Sequence, residues 1–306
     1  MAEITLLIPC YNAAEFLPRL LESVGALSSP FSKILCYDDG SGDETVAVAR
    51  QFGLEIIAGN MHRGVAHARN QLAAAARTEW IHFNDADDPI APTFVARLGP
   101  YCDDRHDVIS CDADWVDEIS RALVIAWRYD AAELLGDAQR YLLGHPMSLS
   151  NSIIRRSAWL SIRGCDETLT MWEDADVHFR LAGSGARFHH VPEVLTISLR
   201  RRDSFSHDYR KSWTCRVDAL ERYAATPLTP ALSAVLAAQA EKAAGELALL
   251  DMRPAAERAI ALCRRLGVRP PSSRHPLLRA LRNFLPTYQL VRWQARHRQR
   301  PTVHTQ

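Results

Sequence analysis

The stretch ITLLIPCYN, residues 4–12, decides the fold class of this chain. Ile4 to Ile8 is a short, apolar run of residues that favour β-structure. The polar residues that follow interrupt this run before a helical pattern begins at Ala14 and continues to Val24. The pattern predicts a strand, a loop and a helix, in that order.

The same unit recurs along the next eighty or so residues. The predicted strands are Lys33–Tyr37, Leu54–Ala58 and Trp80–Phe83, and the helices after the first two are Glu44–Phe52 and Val65–Ala76. Strands that alternate with helices of about ten residues favour an α/β fold with a mainly parallel sheet flanked by helices. Ligands of such sheets bind beyond the carboxyl ends of the strands, where the polar clusters of this sequence fall.

Length and composition predict two units. A chain of 306 residues is long for one compact domain, and from about Ser212 it becomes helical in pattern, rich in Ala and Leu. We therefore predict an α/β domain over 1–211 and a helical, basic region over 212–306. No Asp or Glu follows Glu257, whereas ten arginines lie between Arg264 and Arg300.

Cysteine usage and hydropathy favour a cytoplasmic protein. The seven cysteines are scattered and form no C-x-x-C pair, which argues against a zinc site or a redox centre. The chain shows no basic-then-apolar leader, and no run approaches the ~18 apolar residues of a membrane span. We expect neither secretion by a leader nor a membrane crossing.

Three loops carry acidic or polar residues suited to a nucleotide and a metal. Asp85-Ala86-Asp87-Asp88 follows a strand and suits a divalent cation on a diphosphate, or else caps the next helix. Asp38-Asp39-Gly40-Ser41 suits a base or ribose, or else forms a turn with a helix cap. Tyr11 could stack on a base, and Arg69 could neutralise phosphate, although packing and surface ion pairs are common alternatives.

A second acidic group lies far along the chain. Glu173 and Asp174 open a predicted helix over Asp174 to Ser184, where carboxylates are stabilised as anions. Acids in a first helical turn are also common caps. Both interpretations stay open on this segment alone.

Taken in order, these segments resemble the inverting glycosyltransferase family 2, which has the GT-A fold, a Rossmann-like arrangement. The resemblance covers roughly Ile4 to His207. The matching strings are Pro9-Cys10-Tyr11-Asn12 (P-x-Y-N), Asp38 to Asp43 (D-D-G-S-x-D), Arg63 to Asn70 (R-G-x-x-x-A-R-N), Asp85 to Asp87 (D-x-D) and Gly164 to Asp174 (G-x-D-E-x-L…E-D).

The resemblance implies a role for each matching position. Asp174 would be the catalytic base and Glu173 would help to position the acceptor. Asp87 and Asp88 would hold Mn²⁺ or Mg²⁺. The implied nucleotide-sugar contacts are Pro9, Tyr11, Asn12, Asp39, Arg69, Asp85, Arg200 and Arg202, the last two in a loop that closes over the diphosphate.

The implied reaction is hexosyl or N-acetylhexosaminyl transfer from a nucleoside-diphosphate sugar, UDP being favoured, to a hydroxyl of a cell-surface polysaccharide, glycolipid or lipid-linked glycan. Two alternatives are a catalytically idle binding subunit and a nucleotidyltransferase. The basic segment Pro276 to Arg298 could lie on the inner face of an anionic membrane, or pack on the catalytic domain or a second copy of the chain. No nucleic-acid-binding module is recognisable, so we expect no such partner.

Overall fold

The computed structural model of the protein describes residues 2–201, 207–272, 281 and 284–298, and these fall into two compact units. The first unit, residues 2–201, contains one sheet and its flanking helices. Its strands are β1 (Ile4–Cys10), β2 (Lys33–Asp38), β3 (Glu55–Ala58), β4 (Trp80–Phe83), β5 (Val108–Asp117), β6 (Leu123–Trp127), β7 (Ser152–Arg155) and β8 (Phe188–Arg200). Its helices are α1 (Leu17–Gly25), α2 (Thr45–Gln51), α3 (Val65–Ala75), α4 (Phe94–Leu98), α5 (Ala131–Gly136), α6 (Ala138–Gly144), α7 (Arg156–Ser161) and α8 (Glu173–Gly183).

The sheet is mixed, with a parallel half built from the repeated unit. The strand order is β3-β2-β1-β4-β7-β5-β6, and β8 pairs with β5. Strands β3, β2, β1 and β4 are mutually parallel, as helical crossovers require, whereas β7 runs antiparallel to both β4 and β5. The α/β prediction, with its mainly parallel sheet, is confirmed.

Strand β1 lies at the centre of the parallel half and is buried along its whole length. Because successive side chains of a strand point to opposite faces, Leu7 joins the core on one face of the sheet. Leu6 and Ile8 join the core on the other face. The uninterrupted apolar run of the sequence is therefore explained by helices that cover both faces of the sheet.

Two strands differ from the sequence-based expectation. Strand β7 is only four residues long and was not predicted, since Ser152 and Arg155 leave just two apolar residues to mark it. The sequence alone predicts a short strand over Arg187 to His190, whereas β8 continues to Arg200. It runs parallel to β5 along the whole of that strand, with register shifts near Asp112, so pairing with β5 rather than its own pattern extends it.

The second unit is helical. Its described helices are α9 (Tyr209–Tyr223), α10 (Pro230–Leu249), α11 (Arg253–Arg265) and α12 (Thr287–Arg298). Small residues such as Ala244 and Ala256 form much of its core, which allows the helices to approach closely. The boundary expected at 211/212 falls inside α9, whose first turn begins at Tyr209 and is capped by Asp208.

Part of the basic tail packs within this unit. Leu290 and Val291 of α12 are 2 % exposed, and Val291 belongs to the core formed with α10 and α11. Phe284 and Trp293 remain exposed, and residues 276–280, 282 and 283 of the predicted segment lie outside the described residues. None of the helices in the described ranges combines the length and the apolar character that a bilayer crossing requires.

Candidate active site

The loops that follow β1, β2 and β4 meet at one edge of the sheet. Cys10 pairs with Asp38 and Leu7 with Phe83 in parallel ladders, so the three strands end close together. The polar motifs of the sequence start at these strand ends. They therefore face the crevice in which open α/β sheets bind their ligands.

Three predicted nucleotide contacts lie at the end of β1: Tyr11 and Asn12 are exposed, whereas Pro9 is buried. Tyr11 is 48 % exposed, and the imidazole of His62 stacks on it with ring centroids 3.9 Å apart. Asn12 turns the chain with a φ of 49°, and its side-chain oxygen accepts a hydrogen bond from the Gly42 N–H at 2.9 Å. Pro9 is buried inside β1, so its ring does not join this exposed group.

The carboxylate of Asp39 faces the protein. Its side chain is 3 % exposed and accepts hydrogen bonds from the backbone N–H groups of Arg63 at 3.1 Å and Gly64 at 2.7 Å. The Nδ1 atom of His62 lies 2.8 Å from Asp39 Oδ2. Gly40 has a φ of +76°, and a Cβ there would lie 2.7 Å from the backbone carbonyl carbon of Met61 in the loop after β3, so only glycine allows the two loops to approach.

Arg69 joins two acidic segments that lie far apart in the chain. Its buried guanidinium donates to Glu173 Oε1 at 2.5 Å and to Asp85 Oδ1 at 2.9 Å. Burial alone would lower the pKa of Arg69, but the charges of Asp85 and Glu173 outweigh it and raise that pKa. Arg69 is thus a permanent positive charge through which the loop after β4 and the start of α8 share one site.

Asp174 lies next to this cluster, in the first turn of α8. Its Oδ1 atom accepts from the Ala175 N–H at 2.7 Å, and its backbone oxygen lies 2.8 Å from His178 Nδ1. Burial raises the pKa of Asp174 to about 7; the charge of Glu173 adds to the rise and that of Arg69 partly offsets it. A carboxyl group with such a pKa can accept a proton near neutral pH.

The acidic loop after β4 holds two carboxylates in different settings. Asp87 is partly exposed and pairs with Arg201 at 3.0 Å; burial and the charge of Asp85 raise its pKa, while Arg201 lowers it. Asp88 is 6 % exposed and accepts a hydrogen bond from the Leu199 N–H at 2.8 Å. Burial, with the charges of Asp87 and Asp85, raises the pKa of Asp88 well above its ordinary value.

These settings bear on the predicted metal ligands. Within the described ranges, no three His, Cys, Asp or Glu side chains are placed to enclose a metal ion by themselves. Asp85 and Asp87 are both partly exposed and repel each other, which a divalent cation would relieve. One or two carboxylates, completed by phosphate and water, form a usual Mg²⁺ site, so this pair fits a cation that binds with a diphosphate. Asp88 fits less well, because its carboxylate is bonded to β8.

The sequence places the predicted phosphate contacts, Arg200 and Arg202, at the end of β8 and just after it. Arg202 lies outside the described residues. Arg200 is largely buried, with its guanidinium 4.7 Å from the Trp115 ring centroid. Arg201, which was not predicted, instead contacts Asp87. Neighbouring strand residues point to opposite faces, so a run of arginines does not reveal which one faces the site.

A hydrogen-bonded cluster around Glu167 was also missed by sequence reasoning. Its carboxylate lies 3.1 Å from Asn70 Nδ2 and 3.2 Å from His67 Nδ1, and it pairs with Arg63 at 3.3 Å. These contacts tie the segment before α8 to α3. The sequence signal for this cluster was that Arg63, Asn70 and Glu167 belong to the motif strings. A motif residue without a chemical role of its own often holds a reactive residue in place.

Two further residues adjoin the acids: Arg19 lies outside the motif strings, and Trp172 occupies an unspecified position of the last string. Arg19 donates to the backbone oxygen of Asp87 at 2.6 Å and to Glu118 at 3.0 Å, which joins α1, the acidic loop and the β5–β6 turn. Trp172 has a φ of 74°, a conformation that costs a bulky residue roughly 1–3 kcal/mol. This strain lies directly before Glu173, where the acids of α8 begin.

Solved structures share this architecture. A mannosyltransferase from Pyrobaculum calidifontis, PcManGT, in complex with GDP-Man and Mn²⁺, superposes with a TM-score of 0.63 at 18 % identity, covering 96 % of this chain and 84 % of that one. Residues 1–349 of S. aureus TarS in complex with UDP give 0.58 at 17 % identity, covering 86 % and 88 %. The fold is that of the GT-A glycosyltransferases.

The sequence assigns the family. The profile of Glycosyl transferase family 2 matches residues 5–161, and the chain belongs to that family. The Pre-mycofactocin glycosyltransferase of Mycobacterium tuberculosis is 27 % identical over 228 residues, 70 % of this chain but only 45 % of that protein. The Succinoglycan biosynthesis protein ExoU of Rhizobium meliloti is 27 % identical over 227 residues, 68 % of this chain and 65 % of that one.

Proposed function

We propose that the protein transfers a sugar from a nucleoside-diphosphate sugar to an acceptor hydroxyl, with inversion at the anomeric carbon. The observation that carries this proposal is the placement of Asp174. Its carboxyl has a pKa of about 7 and lies beside the Arg69 pair that reaches the acidic loop after β4. A base near neutrality thus adjoins the site proposed for the diphosphate.

The reaction is a single in-line displacement. Asp174 accepts the proton of the acceptor hydroxyl while that oxygen forms a bond to the anomeric carbon, and the bond from this carbon to the diphosphate oxygen breaks on the opposite face. One displacement inverts the configuration. Glu173 is buried against Arg69, and its charge adds to the rise that burial causes in the pKa of Asp174.

Asp85 and Asp87 would hold Mn²⁺ or Mg²⁺ together with the diphosphate oxygens. The cation would supply positive charge to the departing diphosphate. Arg201 is a further candidate for a phosphate contact, because it pairs with Asp87 in the acidic loop. The complex of PcManGT with GDP-Man and Mn²⁺ supports the use of a divalent metal.

The donor and acceptor are proposed by class. Tyr11 and Asp39 lie at the ends of adjacent strands and offer a ring face and a carboxylate for a base, with UDP-hexose or UDP-N-acetylhexosamine as the leading donor. A cell-surface polysaccharide or lipid-linked glycan is the leading acceptor, which the succinoglycan role printed for ExoU supports. The complete set of acids argues against an idle binding subunit.

A donor screen tests the proposal. The purified protein is incubated with Mn²⁺ and a panel of UDP-, GDP- and dTDP-sugars, and released products are identified by mass spectrometry. We expect nucleoside diphosphate and a sugar transferred to water, and NMR recorded before mutarotation should show the anomeric configuration of that sugar inverted. Released pyrophosphate would instead indicate a nucleotidyltransferase, and failure to bind any nucleoside diphosphate in the presence of Mn²⁺ would end the proposal.

A further inference from the structure

His62 makes both of the contacts that the site offers to a flat heterocycle. Its ring lies on Tyr11, with an interplanar angle of 25°, and its Nδ1 atom is 2.8 Å from Asp39 Oδ2. The imidazole is thus a ring stacked on Tyr11 with one nitrogen in contact with the Asp39 carboxylate.

A nucleobase with a ring N–H would use the same two groups. Uracil N3 and guanine N1 carry a hydrogen, whereas cytosine N3 and adenine N1 are acceptors that a carboxylate repels. The hydrogen bonds that the Asp39 carboxylate accepts come from the backbone of Arg63 and Gly64, and the side chain is 3 % exposed. A base can thus reach this carboxylate only where His62 now lies.

The backbone around His62 is held while its side chain can move. Met61 packs against Gly40, where there is no room even for a Cβ, and the amides that follow His62 are bound by Asp39. The His62 side chain itself is 52 % exposed. Its departure therefore requires rotation about side-chain bonds and no opening of the loop.

We propose that His62 occupies the nucleobase position in the free protein, that the donor displaces it, and that the vacated position selects uracil or guanine over cytosine and adenine. This inference rests on the proposed function, since it assumes a nucleotide donor. The donor can bind only while the imidazole is away from the site, so the apparent affinity is the intrinsic affinity multiplied by the fraction of time that the site is open.

The test compares the wild-type protein with His62→Ala by calorimetry, using UDP, GDP, CDP and ADP with Mn²⁺. His189→Ala is the matched control, because His189 stacks on Tyr101 with the same 3.9 Å centroid distance and 25° angle at the start of β8. We expect His62→Ala to bind UDP or GDP about tenfold more tightly, the gain for an imidazole that fills the site about nine-tenths of the time. CDP and ADP should bind about tenfold or more weakly than the preferred nucleotide, and His189→Ala should match wild type.

The opposite outcomes are distinct. Unchanged or weaker binding of UDP and GDP by His62→Ala would overturn the inference, since weaker binding would make His62 a partner of the bound base. Equal binding of CDP would overturn the selection of ring N–H donors. If the wild-type protein binds UDP or GDP but the variant gains nothing, the inference about His62 alone fails, whereas no binding by either protein removes the proposed function as well.

Discussion

Replacing Asp174 by asparagine should inactivate the protein and at the same time stabilise it. In the native state, burial and the charge of Glu173 raise the pKa of Asp174 from 3.8 to about 7. The native fold therefore disfavours the ionised carboxylate, whereas the unfolded chain does not. Asparagine keeps the oxygen that accepts from the Ala175 N–H but carries no charge.

The size and the sign of this effect follow from proton linkage. The rise of about three pKa units corresponds to roughly 4 kcal/mol of folding free energy. The wild-type protein loses this stability once the pH exceeds the pKa of Asp174 in the folded state. Because the folded pKa is raised, the penalty is absent below the unfolded pKa of 3.8 and grows as the pH rises through 7. We expect Asp174→Asn to be more stable by roughly 4 kcal/mol at pH 8.5 and by roughly 1.5 kcal/mol at pH 5.

Urea unfolding in EDTA, followed by tryptophan fluorescence, measures this difference. Five of the seven tryptophans lie in the α/β unit, so the signal reports mainly on it; these are Trp80, Trp115, Trp127, Trp159 and Trp172. The matched control is Asp130→Asn, because Asp130 is a helix cap whose acceptor oxygen asparagine retains, and its effect should stay within about 0.5 kcal/mol at both pH values. A gain that is absent at pH 8.5, or equal at pH 5, would refute the reasoning.

The same substitution tests the role of Asp174 as a base. Loss of a general base should lower kcat by a factor on the order of 10² to 10⁴ while donor binding persists. In the wild-type protein, kcat/KM should rise with pH up to about 7 and level off above it, because only the ionised carboxylate accepts a proton. A variant with normal turnover, or a profile flat between pH 5 and pH 8, would contradict this assignment.

Three further predictions concern other parts of the site. Arg69→Met leaves Glu173 buried without its partner, so it should lower the free energy of unfolding by about 3–5 kcal/mol in urea, and adding Glu173→Gln should recover part of the loss. Asp87→Asn should raise the Mn²⁺ concentration for half-maximal turnover about tenfold or more. Asp88→Asn should leave that concentration unchanged, because the amide oxygen still accepts the hydrogen bond from β8. Equal effects of the two substitutions would contradict Asp87 as the metal ligand. Gly40 has a φ of +76° and no room for a Cβ, so Gly40→Ala should lower the free energy of unfolding by roughly 1–3 kcal/mol in thermal or urea unfolding. It should also weaken UDP binding. A variant with wild-type stability and wild-type UDP binding would argue against the close approach at Gly40.

Much of the fold could be predicted because its signals are local. The apolar run of β1 and the helical periodicity of α3 depend on neighbours within one element, and the motif loops follow at the strand ends. Strand β7 could not be predicted, because Ser152–Arg155 becomes a strand through its pairing with β4 and β5. The length of β8 depends on β5 in the same way.

By itself, the sequence determined the parallel half of the sheet, the edge at which its polar loops gather and the identity of the acids, since these follow from periodicity and from motif order. Only the tertiary structure decided that Arg201 contacts Asp87, that Asp88 is bonded to β8, and that His62 lies on Tyr11 and Asp39. Each of these choices depends on the phase and register of segments that meet through folding. A local pattern determines the conformation of a segment, but the distant partner of a side chain is set by packing.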